Sequence, residues 1–517
     1  LTKPAISTNS IAAGIIFFDF DISASLLSRS SGTLTIPMLG SIVAKGKLAT
    51  LTFSRVRALK SVDLPTFGSP TIPILRLILV ILCYNKTIML NQSIFRAYDI
   101  RGIYPDELNE KTAYQIGRAF AVYLKENEVN KPEKVVIGYD ARVSSPVLKR
   151  SFIEGVRDEG VNIWDIGLVT VDMVYFASGR FHFPAAMITA SHNPKDWNGF
   201  KLMKSDIEFF TTKDLEIIIN EKKSALLQEK GTITKEDIRS DYLKHVLSFV
   251  DIDAVRPMRI AIDANSGAVG PILKLILKKL PLEINADHYQ FRCAFDGDGD
   301  RIIFIDEKTE AINPSIIGAL MARYFLKRYP YGKIVYSATT SKIVPDIINI
   351  YGGEAIREKV GHAFIKSRLK KTGGILGVEI SGHYYFKDNF YADSGIISFL
   401  VMLDILSNEK KSLSVLVSEL SKYVSIPEIN FSTKSGSASG GKVVNPEEFI
   451  KKIAQNFEGY DIDWLDGLTV RTSDFWLNLR PSNTEPLVRL NIEAKNELIL
   501  NRVKDDLLST IRPFVNK

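Results

Sequence analysis

Four short stretches of this 517-residue chain concentrate side chains able to do chemistry. The run Asp296-Gly297-Asp298-Gly299-Asp300-Arg301 sets three carboxylates at alternate positions. Like charges this crowded oppose one another's ionisation unless a cation joins them, and the interleaved glycines free the backbone to bring the oxygens together. Hard oxygen donors select Mg2+ or Ca2+. A calcium EF-hand competes, because Glu307 falls at its twelfth position. Its sixth position requires glycine, however, and Arg301 stands there, with the strand-like Ile302-Ile303-Phe304-Ile305 behind it. Mg2+ is therefore the expected ion, held by Asp296, Asp298 and Asp300 with room for a phosphate ligand.

The second stretch is Thr189-Ala190-Ser191-His192-Asn193-Pro194, followed by Asn198-Gly199-Phe200-Lys201. Asn-Pro and Asn-Gly keep this segment irregular. Ser191 is a candidate nucleophile, with His192 beside it and the Lys201 cation ten residues on. The bland alternative is a turn in which Ser191 and Asn193 satisfy local backbone donors. In the third, Gly377-Val378-Glu379-Ile380-Ser381-Gly382-His383, alternation predicts Glu379, Ser381 and His383 on one face of an extended segment. Carboxylate, hydroxyl and imidazole side by side suit the hydroxyls of a sugar, and His383 titrates near neutral pH. An exposed strand edge is the alternative. The fourth, Arg480-Pro481-Ser482-Asn483-Thr484-Glu485-Pro486 with Arg489 beyond it, offers a guanidinium, hydroxyls, an amide and loop N–H groups as a phosphate cradle. Alone it reads equally well as a surface turn with one capping hydroxyl.

The elements that must position these loops alternate in type. Val135-Val136-Ile137-Gly138 reads as a strand, and a helical pattern follows Pro146. Strand patterns recur at Ala186-Met187-Ile188, Arg259-Ile260-Ala261-Ile262 and Lys333-Ile334-Val335-Tyr336. This predicts an α/β fold with at least three such units before residue 420. Beyond about residue 423 the pattern changes to a helix over 446–457, strands at Leu468-Thr469-Val470 and Trp476-Leu477-Asn478-Leu479, and a final helix, an α+β tail. The length requires several domains, and the 24% charged content is that of an ordinary globular protein. The net charge of +7 is concentrated in residues 1–88, which carry +6. The near-neutral remainder excludes a nucleic-acid backbone binder. The apolar run 77–83 is too short to cross a bilayer, so no membrane partner is expected. Two cysteines, Cys83 and Cys293, fit a reducing compartment, and a cytoplasmic location follows. Residues 1–88 contain no Glu and keep no helical or strand period, and Met89 lies just before the first recognisable motif. This segment is expected to be an extension outside the working protein.

In their order along the chain the motifs resemble the α-D-phosphohexomutase family, and most closely its phosphomannomutase/phosphoglucomutase branch. Phe95-Arg96-Ala97-Tyr98-Asp99-Ile100-Arg101-Gly102 is similar to the family's opening motif. The Ser191 segment resembles its phosphoserine loop, the Asp296 segment its metal loop, the Glu379 segment its sugar loop and the Arg480 segment its phosphate loop. Val360-Gly361-His362 resembles a further substrate loop. The resemblance implies a heart-shaped arrangement of three related α/β domains and a smaller C-terminal one, over 89–245, 246–310, 311–422 and 423–517. It implies a monomer or dimer acting on phosphorylated hexoses. Phospho-Ser191, whose phosphate would also contact Mg2+, would shift phosphate between positions 6 and 1 of mannose, and of glucose as well, through a hexose 1,6-bisphosphate that also serves as activator. Arg101, Lys201 and Arg301 would stabilise the transferring group, and either Lys201 or His383 would manage the hydroxyl proton. Tyr98, His192, Gly361, His362, Glu379, Ser381, Arg480, Ser482, Asn483, Thr484 and Arg489 would bind substrate.

Two departures stand out. Asp296 follows closely on the turn Asp263-Ala264-Asn265-Ser266-Gly267, where the family has about one more helix-and-strand unit. Losing a parallel strand there is expected to expose an edge or shift register beneath the metal loop. Ser337-Ala338-Thr339 stands where the family often has a basic residue. A catalytically impaired sugar-phosphate binder is the alternative these departures suggest. A simple phosphatase is disfavoured, because nothing supplies an activated water.

Overall fold

The computed structural model describes residues 91–96, 99–128, 132–220, 229–264, 267–285, 288–432, 445–482 and 487–511. Segment 1–88, Tyr98, Asn483, Thr484 and the turn residues Asn265 and Ser266 lie outside them.

Strands form where the β-branched runs occur, and they assort into four sheets. The first holds β1 (Ile100–Ile103), β2 (Lys134–Tyr139), β3 (Asn162–Leu168), β4 (Ala185–Ile188), β5 (Trp197–Lys204), β6 (Glu208–Phe209) and β7 (Ile233–Lys235). The second holds β8 (Met258–Asp263), β9 (Leu282–Ile284), β10 (Phe291–Phe295) and β11 (Ile302–Asp306). The third holds β12 (Lys333–Ser337), β13 (Glu354–Glu358), β14 (Leu376–Val378) and β15 (Tyr384–Phe386). The fourth is antiparallel, with β16 (Val424–Ser425), β17 (Ile429–Ser432), β18 (Asp461–Asp463), β19 (Leu468–Arg471), β20 (Phe475–Pro481) and β21 (Leu487–Ala494).

The first three sheets repeat one topology. The orders β5-β4-β2-β3, β11-β10-β8-β9 and β15-β14-β12-β13 are each fourth-third-first-second. Three strands run parallel and the fourth returns antiparallel to the third. The connection between third and fourth strands is therefore equivalent in all three. It carries Ser191 in the first sheet, Asp296 to Arg301 in the second and Glu379 to His383 in the third. The three motifs thus occupy one structural position used three times.

One apolar core runs from Val136 to Leu420 through all three of these sheets. A second core lies in the first unit around Phe120, Phe152 and Phe200, and a third belongs to the fourth sheet. Burying both faces of β2 makes it an almost unbroken apolar run.

The expected loss of a parallel strand from the second sheet is corrected here. β8 keeps parallel neighbours on both sides, β9 and β10. What is short is the crossover: only residues 285–290 lie between two parallel strands, where a dozen or more residues are usual. The short span suffices because β9 ends and β10 begins level with one another, both opposite Ile260. The Asn285 and Gln290 N–H groups donate to the Ile260 and Arg259 carbonyls at 2.8 Å each, pinning both ends. The consequence falls on a face rather than an edge. Met258, Ile260, Phe291, Cys293, Ile302 and Phe304 enter the common core, while Arg259, Glu283 and Arg292 on the strands are exposed. No helix among the described residues is long and apolar enough to cross a membrane.

Candidate active site

β4 delivers Thr189 and Ser191 into the first of the three equivalent connections. The Ser191 N–H donates to Thr189 Oγ1 at 2.8 Å, and the residue adopts φ 50°, a left-handed conformation uncommon for serine. Its hydroxyl donates to Asp296 Oδ2 at 2.8 Å and lies 3.4 Å from His192 Nδ1. The first and second loops therefore meet at the candidate nucleophile.

The metal loop curls as its glycines allow, with Gly299 at φ 83°. Ligand oxygens of Asp296, Asp298 and Asp300 lie within 4.8 Å of one another. The Asp296 carboxylate accepts from the N–H groups of Gly299 (3.0 Å) and Arg301 (3.2 Å) and from Arg301 Nε (3.0 Å). Lys201, on β5, places Nζ 2.8 Å from Asp298 Oδ2 and 2.6 Å from Asp300 Oδ2. The Oδ1 atoms of Asp298 and Asp300 are buried without a hydrogen-bond partner. Three convergent carboxylates, with Asp298 Oδ1 buried and without a hydrogen-bond partner and Asp300 Oδ1 facing His383 Nε2 at 3.5 Å, fit a small divalent cation such as Mg2+. Calcium of the EF-hand kind does not fit: Glu307 is turned away, accepting the Ser414 hydroxyl at 2.6 Å. Two helix starts grip the loop from outside its own sheet. The Val171 N–H donates to Asp298 O at 2.9 Å and the Gly395 N–H to Gly299 O at 3.2 Å.

Burial raises the Asp296 carboxyl above its ordinary value, with Asp300 adding to the effect. Burial opposes ionisation of Asp300 too, but Lys201 and then His383 hold it well below the ordinary range. Lys201 is raised despite burial, because Asp298 and Asp300 flank it, so it is a fixed cation. His192 is pushed down to about 2 by the Arg301 guanidinium, then by burial and Arg101, and is neutral at working pH. Arg101 binds Asp99 at 2.7 Å and donates to Asn193 Oδ1 at 2.5 Å, which places it against the Ser191 loop.

The third loop differs in shape from the sequence expectation. Glu379, Ser381 and His383 do not alternate along an extended strand. The strand ends at Val378, and Gly382 at φ 86° closes a turn in which the Glu379 N–H donates to His383 O at 3.1 Å. The turn still gathers the three side chains, with Ser381 Oγ 2.7 Å from His383 Nδ1. Glu379 accepts the Gly361 N–H at 3.0 Å and the Tyr385 hydroxyl. His383 Nε2 lies 3.5 Å from Asp300 and 3.8 Å from Asp393. Burial would lower His383, but Asp300, then Asp393 and Glu379, raise it. Half-buried His362 packs edge-on to Phe209, 4.9 Å between ring centres.

Arg480 on β20 and Arg489 on β21 are direct cross-strand partners. Facing like charges are unfavourable without an anion between them. Glu428 serves, 3.1 Å from Arg489 and 4.0 Å from Arg480. The Ser482 N–H donates to Leu487 O at 2.8 Å, closing the base of the loop that carries Asn483 and Thr484. This cradle is tied to the third unit where the Val360 N–H donates to Asp466 Oδ2 at 3.0 Å.

Ser191, Arg101, Lys201, the carboxylate trio, Arg301, Glu379, Ser381 and His383 are thus brought together, and Arg480, Ser482 and Arg489 form a second cluster. Sequence reasoning passed over Arg142, Glu428, Tyr385 and Asp393. Only Arg142 carried a signal, following Asp140 at the end of a strand, where α/β sheets place functional loops.

Comparison with known proteins places these features. Sequence models of the phosphoglucomutase/phosphomannomutase α/β/α domain I, α/β/α domain III and C-terminal domain match residues 92–226, 313–423 and 434–509. A phosphomannomutase of Escherichia coli (strain K12) is 31% identical over 463 residues, covering 81% of this chain and 98% of that protein. A Xanthomonas campestris protein described as phosphohexose mutases is 32% identical over 456 residues, covering 81% and 98%. The crystal structure of a phosphoglucomutase/phosphomannomutase family protein from Burkholderia thailandensis superposes with a TM-score of 0.72 at 28% identity, covering 83% of this chain and 99% of that one.

Proposed function

The chain belongs to the phosphoglucomutase/phosphomannomutase family of enzymes, and from that premise we propose that it interconverts the 6- and 1-phosphates of mannose, and of glucose, through a phosphoserine at Ser191. The observation that carries this reading is the Ser191 hydroxyl 2.8 Å from Asp296, at the mouth of a carboxylate trio.

A sugar 6-phosphate is held by Arg480 and Ser482, with Asn483, Thr484 and Arg489 completing the cradle. Its 1-hydroxyl attacks phospho-Ser191, the O–P bond to Ser191 breaks, and a hexose 1,6-bisphosphate forms. The intermediate reverses, its 6-phosphoryl group returns to Ser191, and the 1-phosphate leaves. Arg101, Lys201 and Arg301 converge on the place where negative charge moves. Asp296, Asp298 and Asp300 would hold Mg2+, which when bound neutralises charge on the transferring phosphoryl group. Lys201 is saturated by two carboxylates, so we assign the hydroxyl proton to His383 in its neutral form, the form its carboxylate neighbours disfavour, with Glu379 and Ser381 gripping sugar hydroxyls. Gly361 and His362 line the same approach, and Tyr98 belongs to the same opening motif as Arg101. The remote phosphate lets binding energy orient the reacting oxygen in both directions. A cytoplasmic location and the domain boundaries 89–245, 246–310, 311–422 and 423–517, with 1–88 apart from the working protein, belong to the same proposal.

The test is phosphate stoichiometry on Ser191 in the purified chain, followed by mutase assays on both sugar 6-phosphates with catalytic hexose 1,6-bisphosphate. Ser191→Ala should carry no phosphate and lose turnover on the order of 10⁶, as covalent nucleophiles do when removed. Undiminished turnover in that variant refutes the relay.

A further inference from the structure

Arg142 belongs to none of the motifs, yet its guanidinium gives four hydrogen bonds to one loop. Nη2 donates to Ser191 O at 2.6 Å and Asn193 O at 2.7 Å. Nη1 donates to Pro194 O at 2.6 Å and Trp197 O at 3.0 Å. Nε faces Asp140 Oδ2 at 3.2 Å, and that carboxylate is 1% exposed. Asp140 is fixed in turn by the Ser145 hydroxyl at 2.5 Å and the Arg142 N–H at 3.1 Å. The side chain is therefore anchored at its base and committed at its tip. Both Nη groups are taken by the loop, and Nε is buried against Asp140, so neither Nη group can bind a sugar or a phosphate unless it releases the loop.

Four carbonyls drawn to one planar group curl residues 191–197 around it. The first of them belongs to Ser191, whose backbone stands at φ 50°. That conformation costs a serine about 1–2 kcal/mol, and contacts such as these four hold it in place. From this backbone the Ser191 hydroxyl reaches Asp296. Lysine cannot substitute, because an ammonium is a point donor without the planar fork that spans several acceptors.

We infer that Arg142 is a positioning residue for phosphoryl transfer: it imposes the left-handed Ser191 backbone and so aims the nucleophile at the carboxylate trio without touching substrate. The inference rests on the phosphoserine relay proposed above.

The test compares the full chain with Arg142→Lys and Arg142→Ala. Phosphate on Ser191, kcat per phosphorylated site, KM for the sugar 6-phosphate and the melting temperature with Mg2+ are measured for each. A misplacement of about 1 Å costs roughly 100-fold in rate, so both variants should lose about that factor in kcat. KM should stay within about twofold, because the cradle on β20 and β21 and the Glu379 turn are untouched. Added guanidinium chloride at millimolar concentration should restore part of kcat to Arg142→Ala and none to wild type. The inference is overturned if Arg142→Lys turns over like wild type, or if kcat and KM worsen together in step with the melting temperature. If Arg142→Ala does not fold, Arg142→Lys decides alone. Wild-type protein with neither phosphate on Ser191 nor mutase activity would refute the relay instead, so the two failures are distinguishable.

Discussion

Lys201 offers the sharpest perturbation. Its side chain is 5% exposed and bridges Asp298 and Asp300, which are 0% and 3% exposed. Replacing it with methionine keeps the volume but strands two buried carboxylates beside a third. Removing one partner of a buried ion pair costs about 3–5 kcal/mol. The carboxylates sit in a core shared by three sheets, so this loss is felt by one cooperative block. At about 2–4 °C per kcal/mol for blocks of this order, Lys201→Met should melt roughly 10 °C below wild type in EDTA. Mg2+ competes with Lys201 for the same carboxylates, so the variant should respond to the ion more strongly than wild type. At a hundredfold excess over Kd, binding returns about 2.7 kcal/mol, so the variant in Mg2+ should recover more than half of its loss measured against wild type in EDTA. Calorimetric scans in EDTA and in saturating Mg2+ read both quantities. A variant melting with wild type in EDTA, or one indifferent to Mg2+, would refute the electrostatic account of this site.

Three further outcomes follow. Asp172 is buried and pushed up to about 6 from 3.8 by that burial, against hydrogen bonds from Ser394, Thr170 and Tyr242. A carboxyl raised on folding stabilises the protein fully below about pH 4, and that contribution is lost as pH rises through about 6. The difference in urea stability between pH 4 and pH 8 should therefore contain ~3 kcal/mol that Asp172→Asn abolishes; equal pH slopes in the two proteins would contradict this. Arg480→Ala should raise KM by roughly 10- to 100-fold, as loss of a charge-assisted hydrogen bond implies, with a smaller fall in kcat because the cradle also orients the reacting oxygen; an unaltered KM removes Arg480 from the cradle. Tyr385→Phe deletes only the hydroxyl that restrains Glu379. It should weaken sugar binding by about tenfold without lowering the melting temperature by more than a few degrees, which substrate titration and thermal melts check together.

Much of the site was legible because its chemistry is local in sequence. Asp296, Asp298 and Asp300 needed only glycines to converge, and the strand before Ser191 was visible in Ala186-Met187-Ile188. The topological repeat was half visible, since alternation announced three α/β units but could not say that their third-to-fourth connections coincide. The Glu379 turn was misread because period-two alternation does not register a single positive-φ residue such as Gly382. The second sheet was misread because strand count and crossover length are separable, and β9 can end level with the start of β10. The partners of Arg142 and the Asp172–Ser394 bond could not be found by spacing. These contacts span 49 to 55 and 222 residues of sequence, and only tertiary packing makes them.

The amides of Val171 and Gly395, which hold the Asp298 and Gly299 carbonyls, give the ion site a rigidity borrowed from neighbours on either side. Chain can therefore be trimmed from or added to the outer flank of the second sheet while the carboxylate trio stays registered to its surroundings. Length variation on that flank becomes cheap for this architecture, and a graft that swaps the 285–290 crossover for a helical one should leave the chelate where it stands.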